Sequence, residues 1–258
     1  MANVLVCIKR VPETSGQILL SDDAMSIDAR HVGYTLSPHE ECAIELAIQV
    51  AKSTDGEATV LTLGSEDAVE QVRDALAVGC TAAVLIEADA SAYGPADVAA
   101  AIAEVVRSRE AAGAPYDLIL VGNDAADTGD FQVGVRLAYA LGRPVLTGIS
   151  TVEVTSDGRA VAKGKGPEGT EVFEFPLPAV IAIQEGGIEP RYPSIPGRMK
   201  AKRTPIDTVE SPVEPTGNGR VRLELPPSQP SVVEILGEGP EAASAVVDLF
   251  YRIGVMAK

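Results

Sequence analysis

Backbone donors and carboxylates crowd into residues 122–130, GNDAADTGD, the stretch of this chain best equipped for chemistry. An apolar run, Leu118, Ile119, Leu120 and Val121, precedes it. Val133, Leu137 and Leu141 follow at a spacing of four, one face of a helix. Strand, loop and helix in that order place backbone N–H groups at a helix N-terminus beside the carboxyl edge of a parallel sheet, where open α/β folds bind nucleotides. An ordinary strand-to-helix turn leaves the same trace, so this segment alone keeps both readings open. Asp124, Asp127 and Asp130 step by three, but a cation site needs more convergent oxygens than a turn guarantees.

A second candidate lies at residues 191–203. Ile195 stands between Pro193 and Pro196, and Arg191, Arg198, Lys200, Lys202 and Arg203 concentrate positive charge around it. A rigid, proline-braced loop exposing an aliphatic residue loses little entropy on docking. Its charge would steer an acidic partner surface. A scattered exposed aliphatic beside a solvated basic edge is the plainer alternative. His31 and His39 sit in acidic, exposed-looking surroundings away from any Ser or Cys arrangement, and are expected to face solvent. Cys7, Cys42 and Cys80 show neither metal-ligand nor CxxC spacing, and Cys7 reads as a small hydrophobe in a strand.

Elements that could position these groups follow the apolar pattern. Residues 4–8 read as a first, central strand, ended by Lys9-Arg10-Val11-Pro12. Residues 17–32 alternate loosely, as an excursion or short hairpin. Ser37 as N-cap, Pro38 in the first turn and the carboxylates of Glu40 and Glu41 start a helix. Its polar stripe is Glu41, Glu45, Gln49 and Lys52, leaving Ile44, Ala47 and Ala51 for the sheet. Strands at 58–63 and 82–86 and helices after Ser65 and after Pro95 continue the alternation up to Arg143. This predicts a doubly wound, mostly parallel α/β sheet. Beyond Pro144 the character becomes antiparallel: a hairpin turns at Ser156-Asp157-Gly158, then come an alternating strand at 170–175 and an apolar one at 177–183, extending the same sheet. Prolines recur from 204 to 230, which reads as an extended arm, and Val246, Phe250 and Ile253 mark a last helix. The expected division is a domain at 1–203 and an arm with a terminal helix at 204–258.

At 258 residues the chain is long enough for such a domain with an appendage. Apolar residues make up 46% but aromatics only 4%, so the core must be built from Ala, Val, Leu and Ile, as parallel sheets are. A formal net charge of −16 argues against nucleic acid and against an anionic membrane surface. The chain shows no signal-peptide pattern and no run of eighteen apolar residues, so no membrane insertion is expected. Three cysteines without metal-ligand or CxxC spacing suit a reduced, cytoplasmic setting.

From Glu189 the chain reads EPRYPSIPGRMKAKR, and Lys9 to Glu13 read KRVPE. With the aspartate-rich loop ending Gln132-Val133-Gly134, these motifs closely resemble the small (beta) subunit of electron-transfer flavoproteins, in the right order over nearly the whole chain. The resemblance implies an adenine-nucleotide-binding fold without catalysis of its own, paired with an alpha subunit that holds FAD. The beta subunit binds AMP, or a second FAD in electron-bifurcating members that react with NADH. Nucleotide contacts are implied at Cys7, at Ser37, Pro38, His39 and Glu40, near Leu63, and at Gly122, Asn123, Asp124, Ala125, Ala126, Asp127, Thr128, Gly129, Asp130, Phe131, Gln132 and Val133. The resemblance also makes Tyr192, Pro193, Ser194, Ile195, Pro196, Gly197, Arg198, Met199 and Lys200 a recognition loop for acyl-CoA or related dehydrogenases, with Ile195 as anchor. Arg10 is expected beside the shared flavin, and residues 232–256 are expected to wrap the alpha subunit. Departures are visible. Ser37 and His39 stand where the family more often has asparagine and an aromatic, and Asp124 where an amide is common. Thr128-Gly129-Asp130-Phe131 replaces an acidic-threonine run. A carboxylate beside a phosphate is unfavourable unless it turns away or holds a ribose hydroxyl, whereas Phe131 suits an adenine face. AMP and a second FAD therefore both stay open, as does a free-standing adenine-nucleotide sensor.

Overall fold

Residues 4–8 are apolar without alternation, the pattern of a strand covered on both faces. They form β1 (Val4–Ile8), every residue of it buried. The computed structural model describes residues 1–13, 16, 18–155, 157–227 and 233–256. Gln17 of the expected excursion, Ser156 of the hairpin turn, and Pro230 and Val232 of the arm lie outside these, as does the side chain of His31.

Short strands β2 (Val11–Pro12) and β3 (Tyr34–Thr35) pair with each other. Then α1 (Pro38–Ser53), β4 (Ala58–Gly64), α2 (Val69–Val78), β5 (Ala82–Glu87), α3 (Pro95–Ala111), β6 (Leu118–Gly122) and α4 (Val133–Leu141) alternate as the apolar pattern requires. β7 (Val145–Val154), β8 (Arg159–Gly166), β9 (Gly169–Pro176), β10 (Ala179–Ile183), α5 (Ile195–Arg203), β11 (Asp207–Glu210) and α6 (Ala243–Arg252) complete the chain. One sheet runs β11-β5-β4-β1-β6-β10-β7-β8-β9. From β1 the chain steps outward to β4 and β5, then returns to β6 on the other side of β1. Its switch point therefore lies between β1 and β6, where Cys7 pairs with Val121. Alternate residues of β1 serve opposite layers. Val4, Val6 and Ile8 pack with α1 and α2, and Leu5 and Cys7 with α3 and α4.

Three segments differ from their reading in sequence. The apolar run at 177–183 follows an antiparallel hairpin in sequence and reads as part of it, yet β10 lies parallel between β6 and β7 near the middle of the sheet. All five of its residues are buried, as suits a strand covered on both faces. It starts at Ala179 because Pro178 has no N–H for a ladder. Antiparallel pairing in this sheet joins β7 to β8 and β8 to β9. Within residues 191–203, Ile195–Arg203 is helix rather than loop: Ser194 caps α5, its Oγ accepting from Gly197 N at 3.1 Å. Pro196 falls in the first turn, where a missing N–H costs nothing. Lastly, the proline-rich stretch first supplies β11, which pairs parallel with β5 at the sheet edge. Asp97 then holds the chain beyond it, accepting from Thr216 N at 3.1 Å and Thr216 Oγ1 at 2.7 Å.

Two units are distinguished, Met1–Leu223 and Glu224–Lys258. The second contains α6, in which Phe250 lies on a partly exposed apolar face and Arg252 Nη2 meets Glu234 Oε2 at 3.1 Å. Among the described residues no helix is long and apolar enough to cross a membrane.

Candidate functional site

At the switch point the ends of β1 and β6 meet the first turn of α1. Ser37 N and Ser37 Oγ each donate to Glu40 Oε2 at 3.0 Å, and Glu40 N donates back to Ser37 Oγ at 3.3 Å. This is the reciprocal cap that a Ser-x-x-Glu sequence allows. The other oxygen, Oε1, accepts from Lys9 N at 2.6 Å. One carboxylate thus ties α1 to the end of β1. A Cβ on Gly122 would come within 3.0 Å of Glu40 Cγ, so glycine is what lets β6 end against this turn. Burial pushes the Glu40 carboxyl up to about 7, against the pull of the hydrogen bonds from Ser37 and Lys9.

His39 is not turned to solvent as its acidic surroundings suggested. Its Nδ1 accepts from Glu185 N at 2.9 Å and its Nε2 meets Asp124 Oδ1 at 2.8 Å. That pattern requires the ring proton on Nε2, so the imidazole bridges the ends of β10 and β6. The reason is tertiary, because Glu185 reaches the rim only through the placement of β10. Asn123 anchors the same loop, its Oδ1 accepting from Gly148 N at 2.7 Å and its N–H donating to Ile183 O at 2.9 Å. Farther along, the loop closes on itself. Ala125 N donates to Asp130 O at 3.0 Å, and Gly129 N to Ala125 O at 2.7 Å. Across the switch point, Lys9 Nζ reaches Asp127 Oδ1 at 2.6 Å. The loop delivers the chain to α4, whose first turn has no side-chain cap. The Gln132 side chain instead accepts at Oε1 from Arg136 Nη2 at 2.8 Å and donates from Nε2 to Asp130 Oδ1 at 3.1 Å. Uncapped first-turn amides at a helix start are donors suited to an anion.

Most residues singled out for the nucleotide therefore gather on one rim, but from both faces of the sheet. Ser37, His39 and Glu40 come from the α1 side. Cys7 and Leu63 belong to the α3/α4 layer. Cys7 is buried, and burial first, Glu40's charge second, pushes its thiol up to about 12, so it is packing and not a nucleophile. Phe131 is exposed at the rim. Lys9 is absent from the nucleotide contacts expected from sequence, although a lysine directly after the central strand of a doubly wound sheet is positioned for this edge. Grooves of about 430 Å³ along α5 and about 380 Å³ between α3 and α4 lie elsewhere. At the rim itself the Lys9–Asp127 and His39–Asp124 pairs span the gap.

The second candidate is pinned to the helices beneath it. Arg191 Nε and Nη2 grip Glu45 Oε2 and Oε1 at 2.6 and 2.7 Å, and Arg191 N adds a bond of 3.3 Å. Glu45, expected on an exposed polar stripe, is only 5% exposed because Arg191 lies over it. Arg191 consequently is not among the charges free to steer a partner. Arg73, from α2, donates to the carbonyls of Ala201 and Thr204 at the end of α5. Gly197 is equally constrained, since a Cβ there would stand 2.3 Å from Ala77 O. Held this way, the segment leaves Ile195 78% exposed, with Tyr192 and Met199 also open to solvent.

Comparison with known proteins agrees with this architecture. Residues 25–214 match the model of the electron transfer flavoprotein domain. The chain is 35% identical over 246 residues to the electron transfer flavoprotein subunit beta of Syntrophomonas wolfei, covering 95% of this chain and 94% of that protein. It is 34% identical to the subunit beta of Bacillus subtilis, covering 96% of each. A third relative, the caffeyl-CoA reductase-Etf complex subunit CarD of Acetobacterium woodii, is 31% identical over 79% of this chain and 76% of that one.

Proposed function

This chain belongs to the electron transfer flavoprotein family as a beta subunit, and we propose that it works in a heterodimer with an alpha subunit, binding an adenine nucleotide at its own sheet rim. The observation that carries the reading is the convergence of the 122–132 loop, the uncapped start of α4 and Lys9 on one switch point. The donor set fits an adenylate. First-turn amides and a lysine suit the phosphate, and exposed Phe131 suits the base. Asp124 is turned toward His39, which relieves the conflict that its sequence position raised.

Arg10 is the residue we assign to the FAD shared with the alpha subunit. Its guanidinium lies 3.4 Å from the centre of the Tyr34 ring, and its buried Nε has no partner among the described residues. A buried donor left over in this way suits an acceptor supplied from outside the chain. Bound flavin carries the electrons, and this chain contributes placement and electrostatics. α5 then presents Ile195 to a dehydrogenase of the acyl-CoA type, with Arg198 and Lys200 steering the encounter. Coexpression with an alpha subunit, followed by counting flavin and AMP released from the purified heterodimer, tests the proposal. One flavin and one AMP per heterodimer is expected. Two flavins and no AMP would replace AMP by a second FAD, and a stable monomer that ignores the alpha subunit would refute the assembly.

A further inference from the structure

We propose that Lys9 is a phosphate ligand held in reserve by Asp127, and that nucleotide entry exchanges one partner of Lys9 for the other. The inference rests on the nucleotide reading of the rim. Lys9 is fixed by its backbone, through the bond from its N–H to Glu40 Oε1 at 2.6 Å. Its side chain is free to choose: it is 45% exposed and reaches across the switch point to Asp127 Oδ1 at 2.6 Å. Asp127 is 21% exposed, and ion pairs that solvent reaches in this way are weak, so an incoming phosphate faces a low barrier to displacing the carboxylate.

The neighbouring charges are committed. Asp124 is held by His39 Nε2 at 2.8 Å and Asp130 by Gln132 Nε2 at 3.1 Å. Arg136 is held by Gln132 Oε1, and Arg10 is stacked on Tyr34. Among the described residues of this rim, Lys9 and Asp127 are left as a cation and an anion joined to each other by a single partly exposed contact. A phosphate at the start of α4 would sit among carboxylates, and rotation of Lys9 supplies the offsetting charge. Asp127, released, faces solvent. The pair offsets one carboxylate of the rim until the nucleotide enters, and the same lysine then binds the phosphate.

A double-mutant cycle on the heterodimer, stripped of nucleotide and titrated calorimetrically with AMP, tests this. Lys9→Gln is expected to weaken AMP about ten-fold, the loss of a charge-assisted contact. Lys9→Arg should retain most of the affinity. Asp127→Asn should tighten AMP about three-fold by freeing Lys9, yet have no such effect in the Lys9→Gln background. Equal tightening in both backgrounds would mean that Asp127 merely repels the phosphate, and the exchange would be refuted. Unchanged affinity in Lys9→Gln, with the thermal midpoint of the heterodimer preserved, would equally overturn it. Failure of the wild-type heterodimer to bind AMP would instead sink the nucleotide reading itself, and the exchange with it.

Discussion

Replacing Arg191 by alanine should unseat the proposed docking segment while leaving the sheet intact. The substitution strips two charge-assisted bonds of 2.6 and 2.7 Å from Glu45 and leaves that buried carboxylate with Gln49 Nε2 at 2.7 Å and the long backbone bond from residue 191 at 3.3 Å. Orphaning one member of a buried ion pair costs about 3–5 kcal/mol. Arg191's own side chain is 36% exposed, however, so solvent screens the pair and enters once it is gone. We therefore expect about 2 kcal/mol, which for a chain of this size corresponds to roughly 5 °C in thermal midpoint. Calorimetry of the heterodimer measures the midpoint, and hydrogen exchange at residues 192–203 reports whether the loss is local. Arg191→Lys keeps the charge but not the fork, and should fall in between. The pH dependence supplies a further check. Hydrogen bonding from Arg191 is the main cause holding the Glu45 carboxyl below the ordinary carboxylate range. Its stabilisation is thus present above the unfolded value, 4.5, and is lost as pH falls through the folded one. The gap between wild type and variant should narrow in acid. A midpoint change under about 1 °C at neutral pH, or a gap that widens in acid, would refute the reasoning.

Truncating Ile195 to alanine should raise the KM for the proposed dehydrogenase partner by about ten-fold with flavin content unchanged, since Ile195 is the exposed aliphatic residue assigned as anchor; an unaltered KM would remove its docking role. Glu40 behaves oppositely to Glu45. Because burial raises its carboxyl to about 7 from 4.5, its contribution is full below pH 4.5 and is lost as pH rises to about 7. Denaturant titrations at pH 5 and pH 8 should show a smaller stability drop in Glu40→Gln than in wild type, and carbon NMR of the Glu40 carboxyl should titrate near 7. Cys7 and Cys80, both raised to about 12 by burial, should resist a thiol reagent at pH 8 until the protein unfolds; prompt labelling of either would contradict their placement.

Much of this protein was legible in its residues because the signals are local. An unalternated apolar run such as residues 4–8 fits a strand with both faces covered, and Ser37-Pro38 with Glu40 satisfies the orphan donors of one helix start without outside help. Propensity of that kind determined the strand–helix alternation up to Arg143, and the motifs around Lys9, Gln132 and Glu189 determined the family.

What the tertiary structure decided is who meets whom. β10 resembles its parallel neighbours in composition, but its slot between β6 and β7 depends on ladders made with distant residues. Lys9 meets Asp127 across 118 positions, and His39 meets Glu185 across 146. Glu45 looked like one tooth of a solvated stripe until Arg191, also 146 positions away, was laid over it. Periodicity records which face of an element is apolar, whereas the pairing of polar side chains depends on how the sheet brings remote loops to one edge. The helical state of residues 195–203 was hidden for a related reason. The prolines that suggest a stiff loop are equally compatible with a helix's first turn, and the contacts to Ala77 and Arg73 settle it.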